Sequence, residues 1–195
     1  MNKPEEFRKL ADYVLITNSR TFSVVGITEY MRRNGSGVTD KTIKKWMSYL
    51  EEAYLISHLN RYSTKAKRAL DYYYKVYDAD VAFNSLEVFD NRYDLSHNLE
   101  NIIFNELTYR GYHLSVFITG KGREIDFIAE KNGKKYYIQA ALSVAEEKEM
   151  RAFEGLSQID RKILITTDTI DYSTSNVTHI SMDRFLSIAS LSEAY

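Results

Sequence analysis

The stretch from Glu124 to Leu142, EIDFIAEKNGKKYYIQAAL, decides the reading of the chain. Two runs rich in β-branched and aromatic residues, Glu124–Glu130 and Tyr136–Leu142, flank Asn132-Gly133. That dipeptide between apolar runs is the strongest short-range signal for an antiparallel hairpin. Working backwards, Tyr112–Ile118 predicts a third strand, set off by the glycine-containing turn TGKGR. Before it, Leu99, Ile102, Ile103 and Leu107 recur at helical spacing over Leu99–Arg110, and Gly111 closes that helix. Working forwards, a helix over Glu146–Leu156, a strand over Lys162–Thr166, a short strand around Val177–Ile180 and a helix from Asp183 complete the chain. The order is α-β-β-β-α-β with a small tail, and a sheet flanked by helices is the simplest way to bury such strands.

The residues before this region read differently. Phe7, Leu10, Ala11, Val14 and Leu15 form one helical stripe, and Ile27, Tyr30 and Met31 form another. Asn34-Gly35-Ser36-Gly37 breaks the second helix, and Thr39 or Asp40 caps a third. In that helix Ile43, Trp46, Met47, Leu50, Ala53 and Tyr54 make an apolar face, with Lys41, Lys44, Lys45 and Ser48 opposite. Strands over Leu55–Tyr62 and Tyr72–Tyr77 then flank a basic loop with Lys65, Lys67 and Arg68. Helix, helix, turn, helix and basic hairpin is the plan of a winged helix-turn-helix, whose third helix can enter a DNA major groove while the wing touches phosphates. The same lysines also suit the solvated face of any surface helix, and winged helices serve as protein-docking modules too. The polar stretch NSLEVFDNRYDLSH, Asn84 to His97, marks the boundary, which gives a winged-helix domain at 1–84 and an α/β domain at 85–195.

Composition bounds the rest. The 195 residues carry 26 Lys plus Arg against 27 Asp plus Glu, a formal net charge of -1, with 44% apolar residues and no cysteine. Disulfides, thiolate metal sites and cysteine nucleophiles are therefore excluded. Apolar runs fall short of the roughly 18 residues of a membrane span, and the start MNKPEEFRKL lacks the apolar core of a signal peptide. The expected compartment is the cytoplasm. A balanced charge argues against a strong non-specific polyanion binder, yet the first 90 residues are +2 (14 basic, 12 acidic) and the remainder -3 (12 basic, 15 acidic). The histidines His58, His97, His113 and His179 show no metal-ligand spacing, and no G-x-S-x-G occurs.

Three positions carry the chemistry. Glu100 lies early in the helix before the sheet, Asp126 sits mid-strand between Ile125 and Phe127, and Gln139 lies on the next strand, where the hairpin can set it beside Asp126. Aspartate is unfavourable in strands, and a buried carboxylate needs a partner. Metal binding is one explanation for it. A structural carboxylate paired with Arg123 or Lys135 is the other. Glu124 shares the strand face of Asp126 and could be a further ligand or a solvated strand end, and Glu106 is expected to pack.

These residues resemble the PD-(D/E)xK nuclease superfamily, which has the same α-β-β-β-α-β core. Its pattern is a helical Glu, a strand Asp, then Glu or Gln, any residue and Lys on the following strand. Glu100, Asp126 and Gln139 match in order, and LENIIFNELTYRGY (Leu99–Tyr112) is similar to the opening helix of archaeal Holliday-junction resolvases. The resemblance implies Mg²⁺ or Mn²⁺ held by Glu100 and Asp126, and DNA as the substrate. The lysine position, however, holds Ala141, with Lys121 and Lys148 as candidate substitutes, and Gln139 brings no charge. Losing one preorganised charge typically costs about 10²–10³ in rate.

The runs TDKTIKKWMSYLEEAYLI (Thr39–Ile56), YKVYDADVAFN (Tyr74–Asn84), LENIIFNELTYRGY and EIDFIAEKNGKKYYIQAALS together resemble the C-terminal half of a prokaryotic AAA-type ATPase family. There a P-loop module precedes a winged helix and a restriction-endonuclease-like domain of unknown function. No G-x-x-x-x-G-K-[ST] stands in this chain. The resemblance implies a C-terminal part of a longer ATPase, or a stand-alone version. It acts on DNA with an impaired nuclease-like centre, or serves without catalysis as a sensor or docking module for the ATPase or a partner protein.

Overall fold

The computed structural model describes residues 3–62, 75–85, 94–144 and 150–195. It is a mixed α/β chain with two sheets. Tertiary contacts divide the described residues into two units, one formed by 3–60, 75–85 and 94–101, the other by 61–62, 102–144 and 150–195. Residues 84 and 85, where the sequence places a boundary, both belong to the first unit.

The first unit holds α1 (Pro4–Ile16), α2 (Val24–Arg33), α3 (Asp40–Glu52) and a hairpin of β1 (Ile56–Leu59) with β2 (Lys75–Asp78). Pro4 starts α1, where its missing N–H costs nothing. The Ser23 and Thr39 side chains accept from Gly26 N and Thr42 N to cap α2 and α3. Ile43, Trp46, Met47 and Leu50 fall one helical turn apart on α3. They are buried against Leu10, Val14, Ile27, Met31, Ile56 and Val76. Trp46 also meets Phe7 edge-on, with centroids 5.8 Å apart. At the end of α3, Tyr54 takes the left-handed conformation (φ 56°), so that Leu55 N reaches back to the Leu50 carbonyl. The hairpin is antiparallel, Ile56 opposite Asp78 and Leu59 opposite Lys75. Its other edge is met by the α1–α2 connection, through a Thr21–Lys75 bridge and a bond from Ser19 N to the Val76 carbonyl at 2.7 Å. The basic loop with Lys65, Lys67 and Arg68, and the cluster Tyr72-Tyr73-Tyr74, lie outside the described residues.

The helix expected from Leu99 begins at Leu95 and runs to Tyr109 as α4. The difference comes from Asp94. Its carboxylate accepts from Ser96 Oγ (3.1 Å) and His97 N (3.4 Å), a cap hidden in a stretch that reads as irregular. A 3₁₀ turn at Val81–Ser85 overlaps the start of that stretch.

The second unit is built on a five-stranded sheet in the order β3 (His113–Ile118), β4 (Glu124–Lys131), β5 (Lys134–Ala140), β6 (Arg161–Thr166) and β7 (Thr178–Ser181). The first three strands are antiparallel neighbours, and the β5–β6 and β6–β7 pairs are parallel. Asn132 (φ 52°) and Gly133 (φ 72°) close the β4–β5 hairpin in the left-handed region that such a two-residue turn demands. Strands β4 and β6 are buried along nearly their whole length. That is the signature of a sheet covered on both faces. Ile103, Leu107, Phe127, Ile138, Ile163, Ile165 and Phe185 make up much of its interior. The last helix, α5 (Met182–Ser187), is capped by Ser181, whose side chain accepts from Arg184 N. Of the helix expected at Glu146–Leu156, residues 146–149, Lys148 among them, lie outside the described residues.

Candidate functional site

Glu100 is in the first unit, on the opening turns of α4, and is only 7% exposed. Its Oε1 accepts from Lys75 Nζ at 2.7 Å and from the Tyr77 hydroxyl at 2.7 Å, both from β2. Lys75 is as deeply buried as its partner. Next to Glu100, the Asn101 amide grips the backbone of Asp78, and its Oδ1 also accepts from Asn18 Nδ2 at 3.3 Å. Ser19 Oγ meets His97 Nδ1 at 2.8 Å, and Arg20 pairs with Asp94 at 2.8 Å. The hairpin, the α1–α2 connection and the start of α4 are thus joined by a polar cluster, buried around Glu100 and Asn101 and open to solvent at Arg20–Asp94. Within it, burial, reinforced by the charge of Asp80, pushes the Asp78 carboxyl up to about 8, so it is largely protonated at neutral pH.

Asp126 and Gln139 are in the second unit, 6% and 8% exposed. The antiparallel pairing of Phe127 with Ile138, continued by one residue, sets Asp126 opposite Gln139, as the hairpin predicts. There Asp126 Oδ2 accepts from Ala140 N at 2.9 Å, so the carboxylate substitutes for a backbone acceptor where the ladder ends. The alternative partners of Asp126 are engaged elsewhere. Arg123 bonds Glu154 at 2.7 Å, and Lys135 bonds Glu130 at 3.0 Å and the Tyr62 hydroxyl at 3.1 Å. Lys121 lies 3.8 Å from Glu154. Ala141, at the lysine position of the nuclease pattern, is packed in an apolar cluster with Ile125, Ala152, Phe153, Leu164 and Val177. Glu106 is half-buried and holds Arg110 Nε at 2.7 Å.

A divalent ion needs uncommitted negative oxygens. The Glu100 charge is matched by the Lys75 ammonium, and Gln139 is neutral. Among the described residues no three His, Cys, Asp or Glu side chains gather in a way that could hold a metal. This donor set does not fit a resident Mg²⁺ or Mn²⁺.

On α3, Lys41 and Lys45 are exposed and Lys44 is half-buried, opposite the buried Ile43, Trp46, Met47 and Leu50. Lys45 Nζ stands 5.7 Å from the Tyr49 ring centre. Between α1 and α2 lies a cleft of about 570 Å³, floored by Leu10, Ile27 and Met31, with Tyr13 and Tyr30 at its rim. Sequence reading missed both this cleft and the Lys75–Glu100–Tyr77 cluster. The cleft has no motif, and the cluster joins residues 25 positions apart. The buried lysine in an otherwise β-like run was the one available signal.

Residues 96–185 match a family described as a domain of unknown function, DUF4143. Residues 1–88 match a second such domain, DUF8612. An uncharacterised protein of Haemophilus influenzae is 32% identical over 131 residues, 66% of this chain and 32% of its own length. An uncharacterised protein of Methanocaldococcus jannaschii is 27% identical over 177 residues, 84% of this chain and 39% of its own length. The matched part of the chain therefore spans 32% and 39% of the length of these curated relatives. No solved structure matches it. No helix among the described residues is long and apolar enough to cross a membrane.

Proposed function

We propose that this chain is a DNA-directed module of an AAA-type P-loop ATPase, in which a nuclease-like domain keeps its fold but does not cut. The observation that carries the reading is the state of position 141. An alanine packed among Ile125, Phe153 and Leu164 stands where the pattern needs an ammonium group. The neutral Gln139 and the ion-paired Glu100 agree with it. The first unit is read as a winged helix, with α3 presenting Lys41 and Lys45 to DNA phosphates and Lys44 beside them. In that role Lys65, Lys67 and Arg68 add phosphate contacts.

The test is a binding and cleavage panel of duplex, single-stranded, flap and four-way-junction DNA, with Mg²⁺ and then Mn²⁺. The expected result is salt-sensitive binding without cutting. The Lys41→Glu/Lys45→Glu variant should bind about tenfold or more weakly, with a salt slope shallower by about two. Metal-dependent cutting that disappears in Asp126→Asn would overturn the silent centre.

The cleft between α1 and α2 favours a second reading, a docking module for the ATPase part or a partner protein. An apolar floor with tyrosines at its rim suits a partner's apolar side chains. Binding to the partner that is lost in Tyr30→Ala, with no DNA binding by the parent chain, would select this reading.

A further inference from the structure

We infer that His179 is an acid-operated latch: its neutral ring fastens residues 167–176 across the outer edge of β7, and protonation of that ring releases them. The device lies within the second unit and does not depend on what the chain binds. β7 is the last strand of its sheet and pairs with β6 alone. Such an edge offers its backbone groups to any passing strand. Here the connection from β6 folds back over it. Val177 N bonds Thr174 Oγ1 at 3.1 Å, and the Val177 carbonyl accepts from Thr174 N at 2.9 Å. His179 N bonds Ser173 Oγ at 2.9 Å, and that hydroxyl donates to Asp171 Oδ1 at 2.6 Å.

The fastening is the imidazole of His179, a residue 2% exposed. Its Nδ1 accepts from Tyr172 N at 3.2 Å. A backbone N–H only donates, so Nδ1 carries no proton and the neutral ring keeps its proton on Nε2. Nε2 lies 2.8 Å from Thr166 Oγ1, which also accepts from Asp168 N at 3.0 Å. The Tyr172 ring meets the imidazole edge-on, with centroids 5.5 Å apart. One side chain thus ties both ends of the connection to β6 and β7. An imidazolium has two donors and no acceptor, so a proton on Nδ1 opposes the Tyr172 N–H and breaks the bond. The charged groups acting on the ring are Asp168 and Asp171, the latter 4.0 Å from Nδ1, and Arg184 of α5 acts in turn on Asp171. The aspartates favour the charged ring, but burial outweighs them and holds its pKa below the ordinary histidine value. The closed connection therefore binds fewer protons than the open one. It is favoured at neutral pH and above, and yields as the pH falls below about 6.5.

The experiment follows the His179 ring nitrogens and the backbone amides of the full chain by NMR, with hydrogen exchange corrected for its intrinsic rate, between about pH 7.5 and about pH 5. Melting temperature does not isolate the effect, because Asp78 in the first unit acts in the opposite sense. At the upper end the ring is expected to show a bare Nδ1 and a protonated Nε2. As the pH falls, the Tyr172 and His179 amides should lose about threefold or more in protection, with the midpoint of the ring titration, while the amides of β4 and β5 keep theirs. In His179→Asn the amide oxygen replaces Nδ1 as an acceptor and does not titrate, so the pH dependence should disappear. Protection that stays level through the ring titration overturns the latch. So does a folded His179→Asn that loses protection with the parent's pH dependence. Should His179→Asn fail to fold by circular dichroism, the parent decides alone: coincident midpoints for ring and amides support the latch, and separate midpoints overturn it.

Discussion

The Asn101 side chain is bonded at both ends to the backbone of Asp78, its Oδ1 accepting from Asp78 N and its Nδ2 donating to the Asp78 carbonyl, each at 2.8 Å. An amide in this geometry acts as a one-residue extra strand, and it joins α4 to the end of β2. Asn101 is fully buried, so removing its amide leaves both backbone groups without this partner. Asn101→Ala is expected to lose about 2–4 kcal/mol of stability, from two hydrogen bonds and the desolvation of what they served. Urea unfolding would measure it, and a loss under about 0.5 kcal/mol, the range of ordinary surface substitutions, would contradict the role.

Asp78 makes the stability of the fold depend on pH in an unusual direction. Its folded pKa is raised to about 8 by burial and by Asp80, against about 3.9 in an unfolded chain. Between those values the folded state binds more protons than the unfolded one, so this group's contribution falls as pH rises. The contribution is full below about pH 4, shrinks through neutrality and is exhausted once the pH passes the folded value. The melting temperature is therefore expected to decline from pH 5 to pH 8, and Asp78→Asn should flatten that decline. An unaltered pH profile in Asp78→Asn would show that the carboxyl is not the source.

How far the fold could be read in advance follows from where its signals lie. The β4–β5 hairpin was legible because Asn132-Gly133 admits few conformations, and the turn adopts the left-handed dihedrals that dipeptide implies. Helix α3 was legible because its period and its Thr39 cap agree. The start of α4 was not. Asp94 caps it, but four residues separate that cap from the apolar stripe, and polar residues hide the connection. Asp126 beside Gln139 was legible from register alone. The fate of Glu100 was not, since no periodicity reports that Lys75 and Tyr77 of another element reach the same oxygen.

Asp126 has a structural duty that any catalytic test must respect. Its Oδ2 accepts from Ala140 N at 2.9 Å, where the β4–β5 ladder ends. Asp126→Ala removes that acceptor and is expected to cost about 1–3 kcal/mol. Asp126→Asn retains an oxygen for the same bond and should cost under about 1 kcal/mol. A chemical-denaturation comparison of the pair checks the assignment, and equal losses would sink it. Lost DNA binding in Asp126→Ala alone would then report unfolding, so Asp126→Asn is the cleaner variant for the cleavage panel.

Ala141→Lys is the substitution that would restore the nuclease pattern on paper. In the fold, Ala141 is 7% exposed and sits among Ile125, Ala152, Phe153, Leu164 and Val177. A lysine there has to push four methylenes into a filled cluster and lead its ammonium out of it. The expected cost is about 2–4 kcal/mol, from overpacking and partial desolvation of the charge together. No gain of Mg²⁺-dependent cutting should accompany it, because Glu100 remains paired with Lys75 and Gln139 remains neutral. Thermal unfolding and the DNA panel, run side by side on Ala141→Lys and the parent, measure both expectations. A variant as stable as the parent that cuts DNA with Mg²⁺ would mean that the cluster opens readily, and that one side chain is all that silences the centre.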